Sequence, residues 1–66
     1  MTASLQFHPG DRVRIVDGTL VGREGRVVEV RNCHGKLHVL VELTIFGRPV
    51  PVELESWQVK KIHENN

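Results

Sequence analysis

The 66-residue chain has one cysteine, Cys33, no tyrosine, and only three aromatic side chains. A single cysteine excludes a disulfide within the chain and fits a reducing compartment. No apolar run approaches the about 20 residues that a bilayer requires. The first ten residues also lack the basic start and apolar stretch of a signal peptide. We therefore expect a small cytoplasmic domain that makes no membrane contact.

A strong excess of charge of one sign is also missing. Nine Lys and Arg residues stand against eight Asp and Glu residues, so the net charge is +1 and the sequence pI is about 8.0. Domains that bind nucleic acid strongly and non-specifically usually have a pI above about 9. The composition therefore argues mildly against DNA or RNA as the main partner, and it leaves room for a local RNA contact.

No arrangement of residues indicates catalysis or a cofactor. The glycine-rich stretch GTLVGREG lacks the Lys-Ser/Thr ending that grips a nucleotide. Cys33, His34 and His38 are close in sequence, but they lack the four-ligand pattern of a structural zinc site. His8 is a conceivable fourth ligand, while a turn and a solvated strand face are the favoured interpretation. We predict a domain that is not an enzyme and has no metal and no cofactor.

Alternating apolar residues predict the first two strands, near residues 11–16 and 25–31. In DRVRIV, Val13 and Ile15 share one face, which is the pattern of a half-buried strand. In GRVVEV, the same alternation predicts that Val28 and Val30 share one face and that Val27 lies on the other. Glycines in the connection DGTLVGREG allow a sharp turn and close packing of the second strand.

The second half of the sequence predicts three further strands. A turn at residues 32–35 is followed by a strand from Leu37 in which alternate residues are apolar. A turn at residues 46–48 precedes PVPVEL, and the two prolines in that run predict that this end of the strand is a sheet edge or lies beside a bulge. A short 3₁₀ turn near residues 55–57 leads to the last strand, QVKKI. Trp57 is predicted to form a lid over the core, because large aromatic side chains are usually buried.

Five short strands without helical periodicity predict an all-β fold, a small antiparallel barrel. We assign the barrel to residues 7–62, a flexible arm to residues 1–6 and a polar tail to residues 63–66. Leu5 and Phe7 are candidate anchors that hold the arm on the barrel.

Residues 10–30 resemble the KOW motif. In that motif an acidic-glycine turn and a later glycine bracket a strand-loop-strand unit, and here Asp17, Gly18 and Gly25 occupy those positions. The motif occurs in bacterial transcription factors and in ribosomal proteins, so it implies a fold more strongly than a role.

Over residues 7–62 the sequence resembles the C-terminal domain of the NusG family of bacterial transcription factors. The resemblance is carried by FHPGDRVRIVDG, GREGRVVEV, IFGRPVPVEL and QVKKI. It implies a five-stranded SH3-like barrel that docks on other proteins in transcription elongation, termination, antitermination or transcription–translation coupling. The implied partners are a small-subunit ribosomal protein that doubles as an antitermination factor, and the termination factor Rho. We expect the domain to be a monomer.

The positions that match the family's contact surface are Leu20, Ile45, Phe46 and Arg48. An alternative interpretation of Phe46 is that it plugs one end of the barrel. The sequence departs from the family pattern in three places. Leu20 stands where the family often has Phe, Arg23 stands at an apolar position, and the segment from Leu37 to Phe46 is two residues longer.

The rival hypothesis is an RNA-binding KOW module of ribosomal type. Its candidate contacts are the basic side chains Arg12, Arg14, Arg23 and Arg26. Acidic residues are interleaved with these arginines, and a solvated face of mixed charge is the usual meaning of such a pattern.

The family also carries a polymerase-binding domain that this sequence lacks. An excised domain, a free-standing KOW protein and a specialised NusG paralogue are all compatible with the sequence.

Overall fold

The structure is a computed structural model that describes residues 7–62. Within that range the chain is all-β, and its elements in order are β1 (Arg12–Ile15), β2 (Glu24–Cys33), β3 (Lys36–Ile45), β4 (Arg48–Glu55), a 3₁₀ helix (Ser56–Gln58) and β5 (Val59–Lys61). The five strands form one antiparallel sheet in the order β4-β3-β2-β1-β5. The predicted fold class is confirmed, whereas the predicted arm, Leu5 included, and the predicted tail lie outside the described residues.

The connection between β4 and β5 shows that the sheet must curl. These strands are at opposite edges of the sheet, yet only Ser56–Gln58 separates them in sequence. Four residue steps reach at most about 14 Å, whereas a flat sheet would hold its first and fifth strands about 19 Å apart. The sheet therefore closes toward a small SH3-like barrel. The connection is fixed where the backbone N–H of Glu55 donates to Oε1 of Gln58 at 3.0 Å.

The core lies inside this curl and consists of aliphatic side chains from four strands. Val13 and Ile15 of β1 are buried, and so are Val39, Val41 and Leu43 of β3, as the alternation predicted. The remaining fully enclosed members come from β2 and β5, namely Val27 and Val59. Phe7 packs against the edge of this core.

The predicted faces of β2 were wrong because a β-bulge interrupts the alternation. Val27 pairs with Val41, but Glu29 and not Val28 pairs with the next residue, Leu40. The extra residue on β2 reverses the parity of everything that follows it. Val27 is buried and Val30 packs against the core, while Val28 is 46% exposed.

The β2–β3 hairpin is tighter than predicted. Asn32 and Cys33 belong to β2, so the turn consists of His34 and Gly35 alone. Both have positive φ, 52° and 82°, which is the requirement of a type I′ turn. Sequence indicated the left-handed conformation for Gly35 and missed it for His34, because residues other than glycine uncommonly adopt it.

Two predictions about backbone positions are confirmed. β4, which contains Pro49 and Pro51, is an edge strand, where a missing N–H leaves no ladder bond unmade. Gly25 is the point of closest packing in β2. A Cβ there would collide with the carbonyl oxygen of Glu42 and with the Val41 and Leu43 side chains.

Candidate functional site

Strand topology places the β1–β2 loop, residues 16–23, and the β3–β4 turn at the same end of the sheet. Gly25 of β2 is opposite Leu43 of β3. Continuing this register by two residues places Arg23, the last loop residue, alongside Ile45. The Leu20 and Ile45 side chains both pack against the same core.

Hydrogen bonds within its own backbone fix the shape of the β1–β2 loop. The N–H of Ile15 donates to the carbonyl of Arg23 at 2.8 Å, and the N–H of Gly22 donates back to the carbonyl of Ile15 at 2.8 Å. Within the loop, the N–H of Arg23 donates to the carbonyl of Leu20 at 3.1 Å. The side chains of this loop are therefore presented on a closed and ordered backbone.

Phe46 is the most exposed large apolar side chain that the structure describes, at 99% of its full accessibility. It forms the β3–β4 turn with Gly47, and both residues have positive φ, 52° and 76°. An aromatic residue in this conformation is uncommon. The interpretation of Phe46 as a plug of the barrel end is therefore wrong, because its ring lies entirely outside the barrel.

The four residues predicted for partner contact divide into two layers at this end. Leu20 and Ile45 are half-buried and rest on the core, whereas Phe46 and Arg48 are exposed. Arg48 is the first residue of β4 and is the partner of Ile45 across the hairpin. Their role in binding stays a prediction.

Sequence analysis missed Val21, which is next to Leu20 in the loop and is 57% exposed. A signal was available, since an apolar residue directly before Gly22 in a predicted loop has no strand face to bury it. We call Leu20, Val21, Ile45 and Phe46 together the apolar end.

The arginines predicted to contact RNA have different environments. Glu24 accepts hydrogen bonds from Arg14 at 2.6 and 3.0 Å and from Arg12 at 3.3 Å. The hydrogen bond from Arg14 and the charges of both guanidinium groups hold the pKa of Glu24 below its ordinary value. Arg26 donates to the carbonyl of Gly10 at 3.0 Å, and Arg23 is exposed in the loop.

Trp57 does not cover the core as predicted. It lies in the 3₁₀ helix, is 62% exposed, and donates its ring N–H to Oε1 of Glu55 at 2.8 Å. A shallow groove of about 450 Å³ beside it is lined by residues that include Leu37 and Ser56.

The cysteine and the histidines that were candidates for metal binding have different local environments. Nδ1 of His38 lies 2.8 Å from Oε2 of Glu53, on the neighbouring strand. His34 forms the turn, and Cys33 is half-buried at the end of β2. Over residues 7–62, no three His, Cys, Asp or Glu side chains lie close enough to hold a metal ion.

Within the described part of the chain, no helix has the length and apolar character needed to cross a membrane.

Comparison with known proteins links these features to a family. The KOW motif model matches residues 9–30. The chain is 47% identical over 58 residues to the transcription termination/antitermination protein NusG of Haemophilus influenzae, covering 88% of this chain. It is 46% identical over 59 residues, 89% of this chain, to NusG of Thermus thermophilus. For NusG of Pseudomonas aeruginosa the identity is 45% over 56 residues, 85% of this chain.

The matched region spans about a third of these relatives, 30% of the Haemophilus and Pseudomonas proteins and 31% of the Thermus protein. The matched regions are 56–59 residues long, so they include most of the described residues, 7–62. The chain therefore contains a KOW motif and resembles the bacterial transcription termination/antitermination protein NusG over most of its own length.

Proposed function

We propose that this domain is a non-enzymatic protein-docking module that acts in transcription termination or antitermination. Its contact surface is the apolar end together with Arg48. The observation that carries the proposal is Phe46, an aromatic ring that is 99% exposed on a turn with positive φ. The similarity to proteins named for termination and antitermination supplies the process.

The cost of placing Phe46 in this position supports a binding role. Burying an aromatic ring of this size is worth about 1.5–3 kcal/mol, and the fold of the free domain forgoes that gain. Exposed apolar side chains that cluster in a soluble domain usually mark an interaction site. Leu20 and Ile45 are the half-buried members of the apolar end, and Val21 and Phe46 are its exposed members.

Arg48 and Arg23 give the apolar end a basic rim. Both are exposed, and Arg is enriched at protein interfaces because it pairs with carboxylates in a fixed geometry. The partner surface should therefore offer an apolar pocket for Phe46 flanked by acidic side chains. Arg23 stands where the family has an apolar residue. We therefore expect the partner of this chain, more than the partners of other family members, to need acidic side chains beside the pocket.

By resemblance to the NusG family, the partners proposed are the small-subunit ribosomal protein that doubles as an antitermination factor, and Rho. The first contact would couple transcription to translation, and the second would act in termination. A barrel of this size offers a contact area of about 800 Å² per partner, the standard area for a specific complex.

The proposal is tested by mapping backbone amide shifts of the labelled 66-residue chain on addition of each partner. Shifts should concentrate at the apolar end. Phe46→Ala should weaken binding at least about tenfold without lowering Tm. Trp57→Ala removes the other strongly exposed aromatic ring and should leave affinity unchanged. Equal affinity of Phe46→Ala and the parent would refute the assignment of the surface, and binding to neither protein would refute the partner assignment.

A further inference from the structure

A shallow groove of about 450 Å³ lies beside Trp57, at the end of the sheet where the β2–β3 hairpin turns. Two of the residues that line it take up little space, because Gly35 has no side chain and Ser56 has a small one. The groove is therefore open to a ligand. We call it the Trp57 groove, and it is lined by Gly35, Lys36, Leu37, Glu55, Ser56 and Trp57.

The Trp57 ring has a fixed orientation although it is 62% exposed. Its only polar atom, Nε1, donates to Oε1 of Glu55 at 2.8 Å. Glu55 is fixed in turn, since its backbone N–H donates to Oε1 of Gln58 at 3.0 Å. The hydrogen-bonding requirement of the ring is met within the domain, so the surface that it presents to solvent is carbon. A ring that is already oriented loses little conformational entropy when a partner covers it.

The charge that the Trp57 groove leaves free is positive. The Glu55 carboxylate already accepts the Trp57 ring N–H. Lys36, the first residue of β3, is exposed, and its ammonium group has no ion-pair partner among residues 7–62. Leu37 is half-buried and supplies a second apolar wall. A ligand that complements the groove therefore brings an apolar group to Trp57 and Leu37, and a carboxylate to Lys36.

The Trp57 groove is separate from the apolar end. Lys36 and Ile45 are the first and last residues of β3, and nine residue steps along a strand correspond to about 30 Å. A partner that docks on Phe46 would leave the groove accessible. The two surfaces can thus be occupied at the same time.

We propose that the Trp57 groove binds a short extended peptide segment of a partner protein in which proline is next to an acidic residue. The proline ring packs on the face of the Trp57 ring, and the acidic side chain pairs with Lys36. Proline suits this site because polyproline segments are extended before they bind and dock in shallow grooves with aromatic walls. Such a segment loses little entropy on binding, which a shallow site requires.

Mapping of backbone amide shifts in the labelled 66-residue chain with three short peptides tests this proposal. A peptide of repeated Pro-Pro-Glu should shift the amides of residues 35–37 and 55–57. Repeated Pro-Pro-Lys should bind about fivefold more weakly, because its charge repels Lys36. Repeated Gly-Gly-Glu should bind at least about tenfold more weakly, because it lacks the ring that covers Trp57. Absence of shifts at about 1 mM Pro-Pro-Glu peptide, or equal binding of all three peptides, would overturn the proposal.

Substitution of Lys36 provides the sharpest test. Lys36→Glu should reverse the preference, so that the Pro-Pro-Lys peptide binds more tightly than the Pro-Pro-Glu peptide, a result that damage to the fold cannot produce. Lys60→Glu makes the same charge change at an exposed site on β5 and should leave the preference as it is in the parent. A reversal in both variants would show that only net charge matters, and a reversal in neither would remove Lys36 from the site. Either result would overturn the proposal.

Two further variants assign the contact to the Trp57 groove. Trp57→Ala should weaken binding of the Pro-Pro-Glu peptide at least about tenfold, and unchanged affinity would contradict the proposal. Phe46→Ala should bind this peptide like the parent, so the outcome of the docking experiment at the apolar end has no bearing on this one.

Other occupants of the groove would be visible in the same spectra. Shifts of residues 35–37 and 55–57 on dilution of the chain alone would mean that a second copy occupies the groove. Larger shifts there with oligouridine RNA than with the Pro-Pro-Glu peptide would mean that the groove binds nucleic acid. Each of these results would overturn the proposal.

Discussion

The two turns that flank β3 have similar backbone φ angles, but their first residues differ in polarity. His34 and Gly35 precede the strand with φ values of 52° and 82°, and Phe46 and Gly47 follow it with φ values of 52° and 76°. Each turn has two residues, with positive φ at both positions as in type I′. The turn geometry therefore does not explain why one turn begins with a polar residue and the other with an aromatic residue.

The residues around the two turns also differ in polarity. At the first turn the side chain of Asn32 accepts a hydrogen bond from the N–H of Gly35 at 3.2 Å. At the second turn the half-buried Ile45 precedes Phe46 and the β1–β2 loop is alongside. The first turn thus serves the hairpin, whereas the second presents an apolar side chain next to other apolar side chains.

The largest expected effect comes from exchanging the two side chains. The double variant His34→Phe, Phe46→His keeps the composition and moves the exposed ring to the opposite end of the sheet. Docking to the proposed protein partner should weaken about 30-fold, equivalent to about 2 kcal/mol, because the ring no longer lies at the same end of the sheet as Leu20 and Ile45. Titration calorimetry measures the change, with circular dichroism as the control for folding. Retained affinity would show that the ring acts without the rest of the apolar end.

Replacing the second glycine of each turn should have a large and equal effect on stability. Gly35→Ala and Gly47→Ala each place a Cβ at positive φ, and no atom beyond the two adjacent residues lies within 4 Å of either Cβ. The backbone alone should cost about 1–2 kcal/mol, which lowers Tm by about 7–14 °C in a domain of this size. Thermal unfolding of both variants checks this. A difference between them of more than about 1 kcal/mol would mean that the turns are not equivalent in backbone energy.

A smaller gain in stability should follow from placing asparagine at the first turn position. Asn tolerates positive φ better than most residues other than glycine and is favoured before Gly in type I′ turns. His34→Asn and Phe46→Asn should each raise the free energy of unfolding by about 0.5–1 kcal/mol. Only Phe46→Asn should also weaken docking. Denaturant titration combined with a binding assay separates the two effects, and a stability loss in Phe46→Asn would mean that the ring supports the fold.

The smallest expected effect is on the pH dependence of stability. It should be present for Glu24 on the sheet and absent for Phe46 in the turn. The pKa of Glu24 is lowered from its ordinary value of 4.5, chiefly by the hydrogen bond from Arg14. A carboxyl group with a lowered folded pKa stabilises the fold above pH 4.5, and this contribution is lost as the pH falls through the folded value. Glu24→Gln should therefore reduce stability slightly at pH 6 and by less at about pH 3. The gain from Phe46→Asn should be the same at both pH values, and chemical denaturation at each pH provides the measurement.

Much of the fold followed from local patterns in the sequence. Alternation of Val and Leu predicted the core faces of β1 and β3, since one face of each strand is buried and the other is solvated. The two prolines predicted that β4 is an edge strand, since neither can donate to a neighbouring strand. These signals depend on the residue itself or on its immediate neighbours, which is why they could be identified without a structure.

The errors arose where position depends on distant parts of the chain. The bulge at Val28 reversed the faces of β2 because the pairing with β3 skips one residue, and a skipped residue leaves no mark in the alternation. Trp57 was predicted to be buried from the size of its ring, but the short 3₁₀ helix turns the ring outward to Glu55.

The candidate docking site was predicted in part. Resemblance to the NusG family supplied Leu20, Ile45, Phe46 and Arg48, and the structure places all four at one end of the sheet. It added Val21, and it showed that Phe46 is fully exposed. The position of Lys60 opposite Arg14 could not be predicted, because the two residues are 46 apart in sequence and meet only through the pairing of β5 with β1.

By itself the sequence determined the all-β class, the order of the strands along the chain, the core face of β1 and β3, and the relationship to NusG proteins. Each of these depends on side-chain alternation, on residues with special backbone properties, or on identity to a relative. Only the tertiary structure decided which side chains stand opposite one another and which remain exposed. Those facts depend on strand register and on the curl of the sheet, because both are set by packing of the whole core rather than by any single segment.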